Sequence, residues 1–252
     1  MITEDAEKLA KAQTEAITSF FGADIQTPPD QLFETAEKAR VEKLFKTSKP
    51  FYLPRRTFTE GVNCPGQKVA LSSNIYYYMR EKWVNADTNS LPGMWILLDT
   101  TKRPGYKDGR QMYPDTKRFK DVLAGLRDDK KIKIPDYLRH VPKDSRFGVS
   151  PGEIDGTNGF VSEEIAKILI VGKEQVNTPT ATTFNYIGNL AHPEFGRVNT
   201  SEWFSNNFGR GDRLVGGSSD GGGLGFVSRW CSGFHGGGLG FRLQVSFPSQ
   251  DS

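Results

Sequence analysis

The chain has few cysteines, few histidines and no long apolar run, and each shortage removes a class of function. Two cysteines in 252 residues, Cys64 and Cys231, can pair only if the fold brings them together, and they read as two free thiols of a reducing compartment. Three histidines, His140, His192 and His235, lie far apart, without the close Cys or His spacing of a metal site, so no metal or other cofactor is expected. The longest aliphatic runs, Trp95 to Leu98 and Ile168 to Val171, fall far short of the roughly 20 residues of a membrane span. Met1 is followed by Ile-Thr-Glu-Asp-Ala-Glu-Lys rather than by a basic and then apolar leader, so display at a cell or virion surface would need a carrier. The net charge of +3 is too small to argue for nucleic acid.

Lysine is absent from the last 79 residues, which carry five arginines against six acids. Glycine runs the other way, with 13 of the 27 between Gly209 and Gly240. The chain therefore has a Lys-rich, helix-forming zone and a Gly-rich, strand-forming one. A hydrophobic content of 36% and an aromatic content of 12% suffice for a core that leans on Phe, Tyr and Trp.

The string Gly-Gly-Gly-Leu-Gly-Phe occurs twice, at Gly221 to Phe226 and Gly236 to Phe241. Each copy reads as a glycine loop entering a strand. The two suggest a hairpin with Cys231, Ser232, Gly233, Phe234 and His235 at its tip. The final stretch alternates Leu239, Phe241, Leu243, Val245 and Phe247 with smaller or polar residues, which predicts one long strand with one buried face. Leu224, Phe226 and Trp230 would line the inner face of its partner.

Upstream, apolar residues at three- and four-residue steps predict helices between Ile2 and Phe20 and from Asp30 to Phe45. Another is predicted from Asp115 through Leu126, and a fourth is capped by Ser162 ahead of Glu163 and Glu164. Gln67 to Leu71, Met94 to Asp99, Thr182 to Ile187 and Arg213 to Gly216 read as strands, and Ile75 to Trp83 fits either a strand or a helix.

The glycines lead into strands with no lysine nearby, against a phosphate-cradling loop. Cys231 and His235 lie together, but no nucleophile sits in a recognisable elbow. Arg210-Gly211-Asp212 matches an integrin-binding tripeptide and reads as a charged turn. The loops combine rigid aromatics with Ser, Gly and Asn, as an adaptable binding surface does. Phe234, in a loop with glycines on both sides, is either a binding anchor at the loop tip or a ring folded back on the sheet.

Three pieces carry a family resemblance: Asn199-Thr-Ser-Glu-Trp203, Arg213-Leu-Val-Gly-Gly-Ser218 and Gly240-Phe-Arg-Leu243. Their order resembles the C-type lectin fold of the formylglycine-generating type, although the second piece is one residue short. Within that fold the chain is similar to the variable proteins of diversity-generating retroelements, and its Lys-rich helical zone is most like their archaeal members. In that family adenine-rich codons are mutated, and the changed side chains cluster on the binding surface. An Asn codon ending in a pyrimidine cannot reach Lys, Glu, Gln, Met or Trp this way, and between Gly216 and Gly238 only Trp230 lies outside the reachable set.

The resemblance implies an α+β, C-type lectin fold over residues 51–252 behind a helical segment 1–50, with a variable region at about 200–243. It implies a non-enzymatic protein that binds a protein or cell-surface ligand. The expected contact positions are Phe208, Asp212, Ser218, Ser219, Asp220, Gly221, Gly222, Cys231, Ser232, Gly233, Phe234, His235 and Gly236. Trp203, Leu224, Phe226, Trp230, Phe241 and Leu243 would be scaffold. Two alternatives stand beside it: an oxidase of the formylglycine-generating type, whose copper-holding cysteine pair has no counterpart beside Cys231, and an unvarying adhesion module.

Overall fold

A computed structural model describes residues 26–62 and 67–248, with the isolated positions 8, 11 and 12. Most of the first expected helix, and Cys64, lie outside the described residues. The architecture is α+β: two four-stranded sheets contribute to two apolar cores, with helices packed over them.

Helix α1 (Asp30–Val41) begins after Pro29, whose extended backbone and missing amide suit a helix start. It buries Leu32 and Ala39 in the first core. Strand β1 (Ser48–Leu53) pairs antiparallel with β4 (Met94–Asp99). Between them lie the short ribbon of β2 (Arg56–Thr57) and β3 (Ser90–Leu91), and α2 (Ser73–Arg80). Helix α2 resolves the ambiguity of the three tyrosines: Ser72 caps it, and Ile75 and Tyr76 are its buried face. Helix α3 (Lys117–Asp128) is capped by Thr116, two residues later than expected, because Asp115 is held by Arg146.

Two short helices follow, α4 (Pro151–Ile154) and α5 (Phe160–Leu169). The expected cap at Ser162 is corrected: the cap position of α5 is Gly159, and Ser162 is buried inside its first turn. Strand β5 (Val176–Asn177) leads into α6 (Ala181–Leu190). The segment Thr182 to Ile187, expected as a strand, is helical. Every residue from Ala181 to Gly188 is buried, so no polar face revealed the helical period. Gln67 to Leu71 forms no strand either. The side-chain amides of Asn185 and Asn189 satisfy the backbone of Lys68 and Val69, where a neighbouring strand would otherwise be needed.

The last strands are β6 (Ser201–Phe208), β7 (Asp212–Gly216), β8 (Val227–Cys231), β9 (Leu239–Gly240) and β10 (Gln244–Phe247). Sheet one runs β1-β4-β10-β5 and sheet two β8-β7-β6-β9. Alternate residues of both sheets enter different cores. Trp95, Leu97, Trp203, Val215 and Val245 join the first, with α1, α3 and α5. Ile96, Leu98, Phe204, Leu214 and Val227 join the second, with α2 and α6.

Two expectations about the glycine repeat are corrected here. The long final strand is two, since β9 pairs parallel with β6 while β10 crosses to pair with β4. Phe241 and Leu243 are wholly buried in the crossing. The two repeats also form no hairpin. β8 pairs with β7, β9 pairs with β6, and the copies lie towards opposite edges of one sheet. In the first copy, Gly223–Gly225 is a turn of 3-10 helix, and pairing begins only at Val227.

Candidate binding surface

The three motif pieces converge. Ser201 and Glu202 of β6 pair with Leu239 and Gly240 of β9, which brings Arg242 onto Glu202. Arg242 Nε and Nη2 each donate to a Glu202 carboxylate oxygen at 3.0 Å, and the Tyr113 hydroxyl donates to the same carboxylate at 2.7 Å. Arg103 closes the network, with Nη1 3.9 Å from Glu202 and Nη2 donating to Gly217 O at 2.6 Å. Burial alone would raise the Glu202 pKa, but Arg242 and Arg103, with hydrogen bonds from Tyr113 and Arg242, hold it below the ordinary value. Burial, then the Glu202 charge, pushes Tyr113 far up, so it stays a neutral donor. Trp203 donates its indole N–H to Val149 O, and Ser218 Oγ donates to Asn199 O. These residues are framework.

Strand β8 emerges from this frame as an edge strand. Arg229, Trp230 and Cys231 are exposed, with Arg229 lying over the Phe208 ring and paired to Asp212 at 2.6 Å. Trp230, expected as scaffold, is 48% exposed. It points to the opposite face from Arg229 and stacks on Phe234 with ring centroids 4.7 Å apart. An edge strand near its end has no neighbouring element to cover the ring. Phe226, also expected as scaffold, is half-buried.

The segment from Ser232 to Gly238 is held chiefly through its main chain. Ser232 N donates to Gly211 O at 2.8 Å. Five of its carbonyls accept bonds from elsewhere: Ser232 from Gly152 N, His235 from the Tyr137 hydroxyl, Gly236 from Gly148 N, Gly237 from Gln111 Nε2 and Gly238 from Ser201 N. Two side chains also anchor it: Phe234 packs against the first core, and His235 Nε2 lies 2.9 Å from Glu153 Oε2. Burial would raise the Glu153 pKa, but hydrogen bonds from His235 and Ser150 outweigh it and leave it lowered.

The expected contact residues fall into two groups that the structure does not bring together. Asp212, Cys231, Ser232, Gly233, Phe234 and His235 lie at one end of β7 and β8 and in the loop leaving it. Cys231 and Gly233 are exposed and the others half-buried. Gly236 continues that loop but is buried. Ser218, Ser219, Asp220, Gly221 and Gly222 lie beyond the other end of β7, roughly 13 Å away along the strand. Within this second group Ser218 is buried, and the others are exposed. Phe208 is a correction: it is only 7% exposed, enclosed by Tyr78, Trp83 and Arg229.

The two glycine triplets differ physically. Gly222 and Gly223 have φ of +113° and +67°, and a Cβ on Gly223 would lie 2.9 Å from Gly196 O. A Cβ on Gly221 would strike the Phe226 ring. Gly237 and Gly238 have ordinary φ, and a Cβ on Gly238 would find nothing nearer than 3.6 Å. The first triplet is a turn that the backbone requires, so Gly221 and Gly222 are corrected as sites of free variation. The second leaves room for a side chain at its end.

Beside the first group lies an open cleft of about 350 Å³, lined by Gly152, Thr157, Asn207, Arg210, Asp212 and Ser232 among others. Arg213 and Asp155, paired at 2.6 Å, also stand at this end of the sheet. No group of three His, Cys, Asp or Glu side chains suited to a metal occurs among the described residues, and none of their helices is long and apolar enough to cross a membrane. Sequence reading missed the outward turn of Trp230 and the neighbouring Tyr106 and Tyr137, which lie far from the C-terminal motifs. The only trace of the tyrosines was their position in loops rich in Pro and charge. No protein-family model, curated protein or solved structure matches this chain.

Proposed function

We propose that this chain is a non-enzymatic ligand-binding protein of the C-type lectin fold, diversified in its C-terminal loop as in the variable proteins of diversity-generating retroelements. The observation that carries the reading is the anchoring of residues 232–238 through five carbonyls, with only the Phe234 and His235 side chains adding to it. A loop held this way keeps its path when most of its side chains change. The convergence of Glu202, Arg242, Trp203 and Ser218 supports the fold assignment, because the residues that carry the resemblance form one buried framework. Trp230 and Phe234 supply rigid apolar area, and Cys231, Ser232 and Asp212 supply adaptable polar groups.

The test is the encoding DNA. The reading expects a near-copy of the segment spanning about 200–243, differing from it at adenines, beside a reverse-transcriptase gene. A locus without that copy overturns diversification and leaves an unvarying adhesion module on the same surface.

A further inference from the structure

The loop from Cys231 to Gly238 is bordered by two segments outside the C-terminal region, residues 102–111 and 133–140. Both touch it directly. Gln111 and Tyr137 donate to the Gly237 and His235 carbonyls, and the Tyr106 ring lies 3.6 Å from where a Gly238 Cβ would stand. Tyr106 is 50% exposed and Tyr137 61%, as open as Trp230. Following the loop, Trp230, Phe234, Tyr137 and Tyr106 succeed one another as a strip of aromatic surface. The Tyr106 backbone is fixed by Asn199 Oδ1, which accepts from its N–H at 2.8 Å.

The same two segments carry Lys102, Lys107, Arg110, Lys133 and Arg139, all exposed. None of the five forms an ion pair among the described residues, and the exposed acids of these segments are only Asp108 and Asp136. At the other end of the strip Asp212 pairs with Arg229, and Arg210 is the one exposed arginine there without an ion pair among the described residues.

We infer that this basic, tyrosine-bearing rim is the constant half of the interface and that it docks an acidic polypeptide surface. The inference rests on the reading of the 231–238 loop as the ligand surface and adds the chemistry of the partner. A phosphate backbone running along the strip would meet five unpaired cations at the rim but only Arg210 at the other end. A protein with an acidic patch beside an apolar one matches both ends: acids against Lys107, Arg110 and Arg139, apolar side chains against Trp230 and Phe234. Fixed charge of this kind steers encounter and excludes wrong partners, while the loop selects among the acidic partners that arrive.

The test is panning of a random displayed-peptide library against the full chain, with a fluorescent single-stranded oligonucleotide of random sequence titrated in parallel. The expected result is enrichment of Asp and Glu with apolar residues in the recovered peptides. Association of a recovered peptide should slow roughly tenfold or more in the triple variant Lys107→Glu, Arg110→Glu, Arg139→Glu. These exposed substitutions should leave the melting temperature in place. Tyr106→Ala with Tyr137→Phe should speed dissociation instead. Recovered peptides without acid enrichment, no enrichment at all, or association indifferent to the triple reversal would overturn the inference. Tighter binding of the oligonucleotide than of the peptides would overturn it in favour of nucleic acid. Failure of the DNA comparison above would remove diversification and leave an acid-selective rim standing, so the two ideas fail separately.

Discussion

Glu202 and Arg242, separated by 40 positions, meet in a two-point ion pair with both side chains 1% exposed. The pair joins β6 to the crossing between β9 and β10, where the chain passes from one sheet to the other. A buried pair is weak evidence of stability in itself, since two desolvated charges offset much of their attraction. Its value here is geometric: Arg242 also donates to Asp99 O of β4 at 2.7 Å and so ties both sheets to one guanidinium.

Breaking that pair from one side should be severe. Arg242→Met leaves Glu202 buried beside only Arg103 and Tyr113, and a loss of about 3–5 kcal/mol is expected in urea unfolding. The double variant Arg242→Met, Glu202→Leu should recover part of the loss.

The Glu202 carboxyl also sets a pH dependence. Its folded pKa lies below the ordinary value of 4.5, so the unfolded chain binds the proton more readily. Its stabilisation is therefore complete above the ordinary carboxylate range and is lost as pH falls through the folded pKa. Glu153, also lowered, acts with the same sign. Unfolding measured between pH 7 and pH 3 should show falling stability, and Glu202→Gln should flatten the slope. An unchanged slope would show that Glu202 is not the linked group.

Aromatic truncation should separate frame from surface. Phe241 is fully buried, and Phe241→Ala should cost about 3–5 kcal/mol. Phe234 is half-buried, and its ring contact with Trp230 is worth about 0.5–1.5 kcal/mol beyond the area it covers. Phe234→Ala should therefore cost clearly less than Phe241→Ala. Equal losses in denaturant titration would make Phe234 a core residue and the loop unfit to vary.

The repeated glycines offer a comparison within one protein. Gly223→Ala should cost at least about 1–2 kcal/mol, because alanine in the left-handed region is strained and its Cβ meets Gly196 O. Gly238→Ala should be neutral or stabilising by up to about 1 kcal/mol, through the reduced freedom of the unfolded chain. Melting temperatures of the two variants check this, and similar shifts would refute the distinction.

The anchoring of the loop predicts its dynamics. Glu153→Gln weakens the side-chain hydrogen bond to His235, while the carbonyl bonds remain. Hydrogen exchange should rise at the Lys133 and Ser150 amides that bond Glu153 and change little at Gly148 and Ser201. Loss of protection across all four would mean that His235 holds the loop.

Several features were fixed by local chemistry and legible in the residues alone. The α+β class, the start of α1 after Pro29, the apolar face of α3 and strands β4 and β7 all follow from periodicity and capping, which act over a few residues. Other features depended on partners distant in sequence. Thr182 to Ile187 has strand-like residues, yet burial on every side lets it lie as a helix. Asn185 and Asn189 take the place of a strand beside residues 67–71. One hexapeptide written twice became a turn that needs glycine at Gly222 and Gly223, and a loop with room for a side chain at Gly238. Identical local sequence fixes the same intrinsic preferences, but Gly196 stands against one copy and Tyr106 and Leu138 against the other. Only the tertiary structure could decide which glycines the fold requires.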